Sequence, residues 1–327
     1  MKETCTADCK SQVERESFRI ERRTALGMMA AGMAGAPMSA FAFSGHHGGH
    51  EFTHWNTRQP ILNTWPLAAQ LWTVNDQLLK DLPGTLKHLK SLGYTVVETA
   101  GLLGYKAADF HLMLADAGLG CCSTHTAMGD LLDNLEQKIE DAKHLGAEWL
   151  VCASPKPPTA LPAGKDWLRA MRDAMTLDSW KENADALADM VPKVQKSGLK
   201  LAYHNHFMEF VDYGGTTGYS LIVAASEELR LEMDLGWVRV GGVDPLALVN
   251  QFKGRIDLLH IKDVVVDATQ PIGFRSVEVG RGMIDWKPVL EAARSAHVRY
   301  AFIEQEPPYL RDVFDSLAIS RDFLKTL

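Results

Sequence analysis

From about residue 65 onward, short β-rich apolar runs alternate with amphipathic helical stretches, and this repeat constrains the fold more than any other feature of the chain. The runs are LAAQLWT (67–73), YTVVETA (94–100), LGCCSTH (119–125), EWLVCAS (148–154), LKLAYHNH (199–206), LRLEMDLG (229–236), IDLLHIKD (256–263) and YAFIEQE (300–306). Helical stretches follow them. LPGTLKHLKSLG closes on Gly93, DNLEQKIEDAKHLGA breaks at Gly146, and SWKENADALADMVPKVQKSG ends on Gly198. Glycine just past the last apolar turn is the usual helix stop. Pro192 predicts a kink in the last of these helices. Strands separated by helices must pair in parallel. Eight such units fit one (β/α)8 TIM barrel, a class whose typical length is about 250 residues. A doubly wound sheet is the competitor, but no Gly-rich phosphate fingerprint follows the first strand. The long interruption at 155–177, after the fourth run, is expected to form a rim or lid loop on the catalytic face.

The first part of the chain belongs to something else. Arg22-Arg23 precedes 19 uncharged residues, Ala25–Phe43, rich in Ala, Gly and Met, and Ala40-Phe41-Ala42 gives the small-x-small pattern of a signal-peptidase site. The run is too weakly apolar for a membrane span, so no stable membrane anchor is expected. Twin arginines before a mildly hydrophobic stretch resemble an export signal read by the twin-arginine translocase. The expected organisation is a signal peptide over 1–42, a flexible Gly/His-rich lead-in over 43–64, and one barrel over 65–327. The expected location is the periplasm. The alternative is an Ala-rich helix packed on the domain of a cytoplasmic protein. His46, His47, His50 and His54 lie among glycines that impose no fixed geometry, which suggests adventitious metal binding. Cys5 and Cys9 would leave with the signal. Cys121, Cys122 and Cys152 remain, too few and too awkwardly placed for a disulfide framework.

Composition excludes several classes. With 34 Lys+Arg against 41 Asp+Glu, a net charge of -7 and no basic block, the chain is not built to hold nucleic acid. Its 46% hydrophobic content is that of an ordinary globular protein.

In a barrel of this kind the active site lies at the carboxyl ends of the strands. Ionisable residues gather there: Glu98 after the second run, His125 after the third, and His204 and His206 after the fifth. Asp234 follows the sixth, His260 and Lys262 the seventh, and Glu304 and Glu306 the eighth. His204, Asp234, His260 and Glu304 offer mixed nitrogen and oxygen ligation for one divalent metal, with Mn²⁺, Co²⁺, Zn²⁺ or Fe²⁺ favoured over Mg²⁺. Such an ion would polarise a carbonyl while a base removes the adjacent proton. Glu304, His206, Glu209 and Lys262 are the candidate catalytic acids and bases. Glu98, His125, Trp72, Trp237 and Arg281 are candidates for substrate contact, although each Trp equally suits core packing. Gly280-Arg281-Gly282 reads either as a small-anion seat or as a turn before Asp285-Trp286.

The segments Y-H-N-H-F-M-E-F (203–210), M-D-L-G-W (233–237), G-R-I-D-L-L-H-I-K-D (254–263), V-G-R-G-M-I-D-W (279–286) and F-I-E-Q-E (302–306) resemble the xylose isomerase-like TIM barrels. That superfamily includes ketose 3-epimerases, inosose dehydratase and endonuclease IV-type repair enzymes. The resemblance implies a metal held by Glu, Asp, His and Glu from successive strand ends, of which Asp234, His260 and Glu304 carry over. His204 stands where the first Glu would be, and Trp237 where many members have a substrate-contacting His. The repair enzymes' many metal ligands and basic loops are absent from the sequence.

These features together predict a sugar isomerase or epimerase acting on a non-phosphorylated keto-sugar or cyclitol through an enediolate. The alternative within that chemistry is a 3-keto-glycoside lyase or inosose-type dehydratase working by β-elimination. A non-catalytic periplasmic sugar-binding barrel is the reading from a different class. The expected partners are a small sugar and, during export, the translocase, with a homo-oligomer left open.

Overall fold

The computed structural model describes residues 65–327. The expected signal, the Gly/His-rich lead-in, Cys5 and Cys9 lie outside the described residues. Ten strands are present among the described residues: β1 (Ala68–Gln70), β2 (Val96–Thr99), β3 (Gly120–Ala127), β4 (Trp149–Ser154), β5 (Lys200–His204), β6 (Arg230–Asp234), β7 (Ile256–Ile261), β8 (Asp263–Val266), β9 (Phe274–Val277) and β10 (Tyr300–Ile303). Eight of them close into a parallel barrel in the order β1-β2-β3-β4-β5-β6-β7-β10. The expected (β/α)8 TIM barrel is therefore the observed fold, and each apolar run supplies one barrel strand.

The period of two along each strand builds both the core and the site. Leu201, Tyr203, Leu231, Met233, Leu259, Ile261, Ala301 and Ile303 join the large apolar layer shared with the surrounding helices. Residues of the opposite parity, Ala68, Trp149, Val151, Ala202, Leu258 and Phe302, form a separate buried plug inside the barrel. Two residues beyond a member of that plug, the same inward face turns polar. Ala68 leads to Gln70, Ala202 to His204, Leu258 to His260 and Phe302 to Glu304, all buried. An apolar floor thus carries a polar layer at the carboxyl ends of the strands.

The helices follow the sequence closely. Thr176 and Ser179 form a capping box that starts the helix Leu177–Lys196. Pro192 lies inside that helix near its end, and the helix continues past it. The departure from helical dihedrals falls instead at Asn134 (φ -145, ψ 37), within Met128–Leu145. The 155–177 interruption contains a short helix, Trp167–Ala174, capped by Asp166. No helix among the described residues is long and apolar enough to cross a membrane. Cys121, Cys122 and Cys152 are free thiols. Burial raises all three, Cys121 and Cys152 to about 12.

The hairpin β8–β9, which pairs Asp263 with Val277 and Val266 with Phe274, is an addition to the eight strand–helix units. Asp263 ties the loop beyond it to the barrel. Its buried carboxylate accepts from the backbone N–H groups of Val264, Gly280, Gly282 and Ile284, and from Trp286 Nε1, at 2.9–3.3 Å. A Cβ at Gly282 would lie 2.0 Å from Asp263 Oδ1, so the close approach requires glycine. Gly280-Arg281-Gly282 is therefore the turn, not an anion seat, because its glycine N–H groups are already committed to Asp263. Each buried donor left unpaired costs about 1–3 kcal/mol. Asp263→Asn should therefore lower unfolding stability by roughly 2–4 kcal/mol in urea titrations. A loss below about 0.5 kcal/mol, the range of an ordinary surface change, would mean that the loop is held by other contacts.

Candidate active site

A cleft of about 790 Å³ opens over the carboxyl ends of the strands, lined by His125, His204, His206, Glu304 and Glu306, with Trp72 and Trp167 at its rim. His206 lies between two indoles, with ring centroids 5.2 Å from Trp167 and 5.8 Å from Trp237. Burial, reinforced by the Lys262 charge, pushes its imidazole down to about 3. It is neutral at ordinary pH, and its Nδ1 has no hydrogen-bond partner.

Beneath the cleft lies a buried network of charge. Glu98 Oε1 accepts from Gln70 Nε2 at 2.6 Å and lies 3.0 Å from His125 Nε2 and 2.8 Å from His260 Nε2. Glu232 Oε2 lies 2.5 Å from His125 Nε2, 3.3 Å from His204 Nδ1 and 3.4 Å from His260 Nε2. The other ring nitrogen of His260, Nδ1, faces Glu304 Oε2 at 2.7 Å and Asp234 Oδ2 at 3.7 Å. Burial opposes a charge on His125, but Glu98 and Glu232 outweigh it and lift the imidazole to about 10. His260 is likewise raised against burial by Glu232 and Glu304. His204, desolvated and surrounded by other imidazoles, is pushed well below its usual value.

Lys262 is the permanent cation of this network. It is fully buried, and its Nζ lies 2.9 Å from Asp234 Oδ2, 2.9 Å from Glu304 Oε2 and 2.6 Å from Glu306 Oε1. It also rests 4.5 Å from the centre of the Trp237 ring. The three carboxylates overcome desolvation and keep it protonated, so it cannot serve as a base at ordinary pH. Lys262 and His260, against the penalty of burial, hold Glu304 well below the carboxylate range. Burial, aided by the Glu304 charge, raises Glu306.

Two groups of side chains lie close enough to hold a metal ion, each with ligand atoms within 4.8 Å of one another. They are His125, His204, Glu232 and His260, and separately Asp234, His260 and Glu304. The four residues expected as one ligand set are thus divided between two groups that share His260. Lys262 already occupies the Asp234–Glu304 side. Unit charges about 4 Å apart interact by about 4 kcal/mol at an effective dielectric constant near 20, and a divalent ion doubles the repulsion.

The structure brings Glu98 and His125 to this cluster, and Trp72 to the rim of the cleft. Trp237 is buried behind His206 as a packing surface. Glu209 does not line the cleft. It is fully buried and its Oε1 accepts from Tyr203 Oη at 2.9 Å. Arg281 also stays outside, with Nη1 3.9 Å from Glu278 on the hairpin loop, because the Asp263-bound turn holds it there. Glu232 escaped the sequence reading because LEM reads as an apolar run. Its spacing of two from Asp234 puts both on one strand face, which was the available signal. Trp167 was hidden in the long interruption, and Gln70 within the first apolar run.

A family model described as xylose isomerase-like TIM barrel matches residues 86–325. The chain belongs to that family. An inosose dehydratase of Lacticaseibacillus casei is 27% identical over 145 residues, 40% of this chain and 48% of that protein. One from Geobacillus kaustophilus is 24% identical over 257 residues, 68% of this chain and 80% of the relative. The chain spans about half the length of several curated relatives it matches, 48% and 54% in the Lacticaseibacillus casei and Clostridium beijerinckii proteins. Among solved structures, a sugar phosphate isomerase/epimerase from Parabacteroides distasonis superposes with a TM-score of 0.64 at 22% identity, covering 79% of this chain and 96% of that one. An L-ribulose 3-epimerase gives 0.58 at 16%, covering 80% and 94%. The IOLI protein with a bound zinc atom gives 0.56 at 16%, covering 80% and 96%. At these identities the structural likeness establishes the barrel. The names carried by these proteins are those of sugar and cyclitol enzymes, apart from the IOLI protein.

Glu209 yields a prediction for pH. Burial raises its carboxyl from 4.5 to about 7, so between those values the folded state binds a proton that the unfolded state has lost. Stability should therefore fall as pH rises through that window, by about 3 kcal/mol at 1.36 kcal/mol per unit. Glu209→Gln should remove this slope in chemical denaturation and leave the variant more stable than the natural protein at pH 8. An unchanged slope would place the titration elsewhere.

Proposed function

We propose that the protein is a divalent-metal-dependent enzyme that acts on a non-phosphorylated keto-sugar or cyclitol by removing a C–H proton beside a carbonyl, giving an enediolate. The observation that carries this reading is the convergence of imidazoles and carboxylates from several strand ends on one cleft. Their donor chemistry fits a transition-metal dication. Glu98 Oε2, His204 Nδ1 and Glu232 Oε1 are buried without a hydrogen-bond partner, which native proteins avoid unless a ligand completes them. His260, with either of its two neighbouring groups, would hold the ion, which supplies Lewis-acid polarisation of the carbonyl. The zinc atom of the IOLI neighbour supports the same reading.

The chain's own residues supply the remaining chemistry. His206, neutral and lining the cleft, is the residue placed to take the proton. Its two flanking indoles keep water from the imidazole and hold the ring in place. Glu304 stays ionised, and with Glu306 and Asp234 it anchors the Lys262 ammonium beside the reacting centre. Trp72 and Trp167 offer apolar faces to a sugar ring. The cleft lining also favours a substrate without phosphate. It carries Asp130, Asp141, Asp166, Glu304 and Glu306 against Lys138, and the glycine N–H groups of the 280–282 turn are engaged by Asp263. Export through the twin-arginine route, read from Arg22-Arg23, belongs to the same proposal.

A second reading, β-elimination of water or an aglycone, is favoured by two observations. The curated relatives above are named inosose dehydratases. Burial pushes the Glu306 carboxyl up against the opposing pull of the Lys262 ammonium 2.6 Å away, which makes it the candidate acid for the leaving group.

NMR of the protein in D₂O with Co²⁺ or Mn²⁺ and a panel of ketoses, inososes and 3-keto-glycosides separates these readings. Epimerisation or isomerisation should place deuterium at the carbon next to the carbonyl, and elimination should give new vinylic signals. Chelation should abolish either reaction. His206→Ala should lower kcat by roughly 100-fold or more, the usual value of a positioned base. Sugar binding without turnover, unaffected by chelation, would instead identify a non-catalytic binding barrel.

A further inference from the structure

We propose that the cleft has a second, outer subsite, formed by Asp130, Lys138, Asp141, Asp166, Trp167 and Leu168, which takes a neutral sugar unit glycosidically bonded to the reacting keto-sugar. This names the substrate class of the site proposed above and rests on that reading.

The cleft is larger than one ring needs. Its volume of about 790 Å³ falls in the upper part of the range for drug-sized ligands, about 300–1,000 Å³, and a single pyranose fills only a fraction of it. The lining also divides by origin. His125, His204, His206, Glu304 and Glu306 come from the barrel strands or the residues just beyond them. The six outer residues come from the helix Met128–Leu145 and from the long segment after β4. The break at Asn134 restarts that helix, and Lys138 and Asp141, three residues apart, share one face of its second half. The helix ends just before β4 begins, so it runs back from the strand ends, and Asp141 lies about 10 Å along it from Asn134. The cleft wall therefore continues past the imidazoles.

Trp167 is the platform of the outer arm. Among the described residues, the exposed tryptophans are Trp72 at 47% and Trp167 at 40%, and both line this cleft. Trp167 is held against the His206 ring, 5.2 Å between centroids, and still leaves indole surface open on which the apolar face of a sugar can stack.

The groups around it suit hydroxyls. Lys138 is half-buried and has no ion pair or hydrogen bond among the described residues, although Asp141 stands at a spacing where such pairs form. Asp141 Oδ1 instead accepts from Gln137 Nε2 at 3.0 Å, and Asp166 Oδ1 accepts from the Arg169 N–H at 2.9 Å. Each carboxylate keeps a second oxygen for a ligand. A sugar hydroxyl donates to a carboxylate and accepts from an ammonium, so one ring answers both kinds of group. An aromatic aglycone would desolvate the same charges without pairing them. An anionic unit would meet three carboxylates against one ammonium.

The test measures binding to the full chain by calorimetry and saturation-transfer NMR. The probes are methyl glucoside, phenyl glucoside, trehalose, maltose and cellobiose, which lack the keto group and report binding without turnover. At least one disaccharide should bind about tenfold or more tighter than methyl glucoside, as one hydrogen bond to a charged group would give, with saturation reaching both rings. Lys138→Met and Asp141→Asn should each cut that preference to about threefold or less, and Trp167→Ala should remove transfer to the second ring. Circular dichroism checks that each variant is folded. Disaccharides that bind no tighter than methyl glucoside, or a preference that both charge variants retain, would overturn the outer subsite. Phenyl glucoside bound as tightly as the best disaccharide would overturn it in favour of an aromatic aglycone. Turnover of keto-monosaccharides without any disaccharide preference would sink this inference and leave the enzyme reading intact. A disaccharide preference in a protein that turns over no keto-sugar would do the reverse, and no binding of any sugar would overturn both.

Discussion

The barrel depends on charge compensation inside its own interior. Glu98, Glu232 and Asp234 are fully buried and Glu304 nearly so, and ions in such a place cost several kcal/mol each unless they are paired. Lys262 supplies the permanent opposing charge, and His125 and His260 bridge the remaining carboxylates. The apolar plug of Trp149, Val151, Leu258 and Phe302 beneath the network keeps these interactions in a low-dielectric setting, where pairing is stronger and an unpaired group more costly. Floor and site are therefore one device. The same strands that fill the barrel with hydrocarbon turn polar one step later, and no separate element is needed to present the chemistry.

This explains why much of the molecule was legible in the sequence. Each strand is short and buried, so it reads as a compact apolar run ending in polar residues, and all eight barrel strands were found that way. The polar ends of these runs include His125, His204, His206, His260 and Glu304, which lie at the cleft or just beneath it. Glu232 was obscured by the same rule, since a charged residue flanked by Leu231 and Met233 looks like an interruption of an apolar run. Only the inward parity that it shares with Asp234 distinguishes it. The hairpin β8–β9 was missed because its first strand continues directly from the seventh run, with only Lys262 between them. Arg281 is a candidate for substrate contact only if Gly280-Arg281-Gly282 seats an anion, but four hydrogen bonds from this stretch to Asp263 determine where the loop goes. Long-range hydrogen bonds of this kind leave no periodic trace in the chain.

His260 shows how a single side chain can divide a site. Its two ring nitrogens face opposite carboxylate pairs, Glu98 and Glu232 on one side and Asp234 and Glu304 on the other. The direction of each nitrogen follows from the ring orientation imposed by the strand.

The three thiols of the barrel have a consequence for where the protein can exist. Cys121, Cys122 and Cys152 are unpaired, and burial keeps all of them in the protonated, poorly nucleophilic form. The fold neither requires an oxidant to mature nor offers one an easy target. These three cysteines therefore set no redox condition on the barrel, which reaches the same fold in a reducing or an oxidising medium.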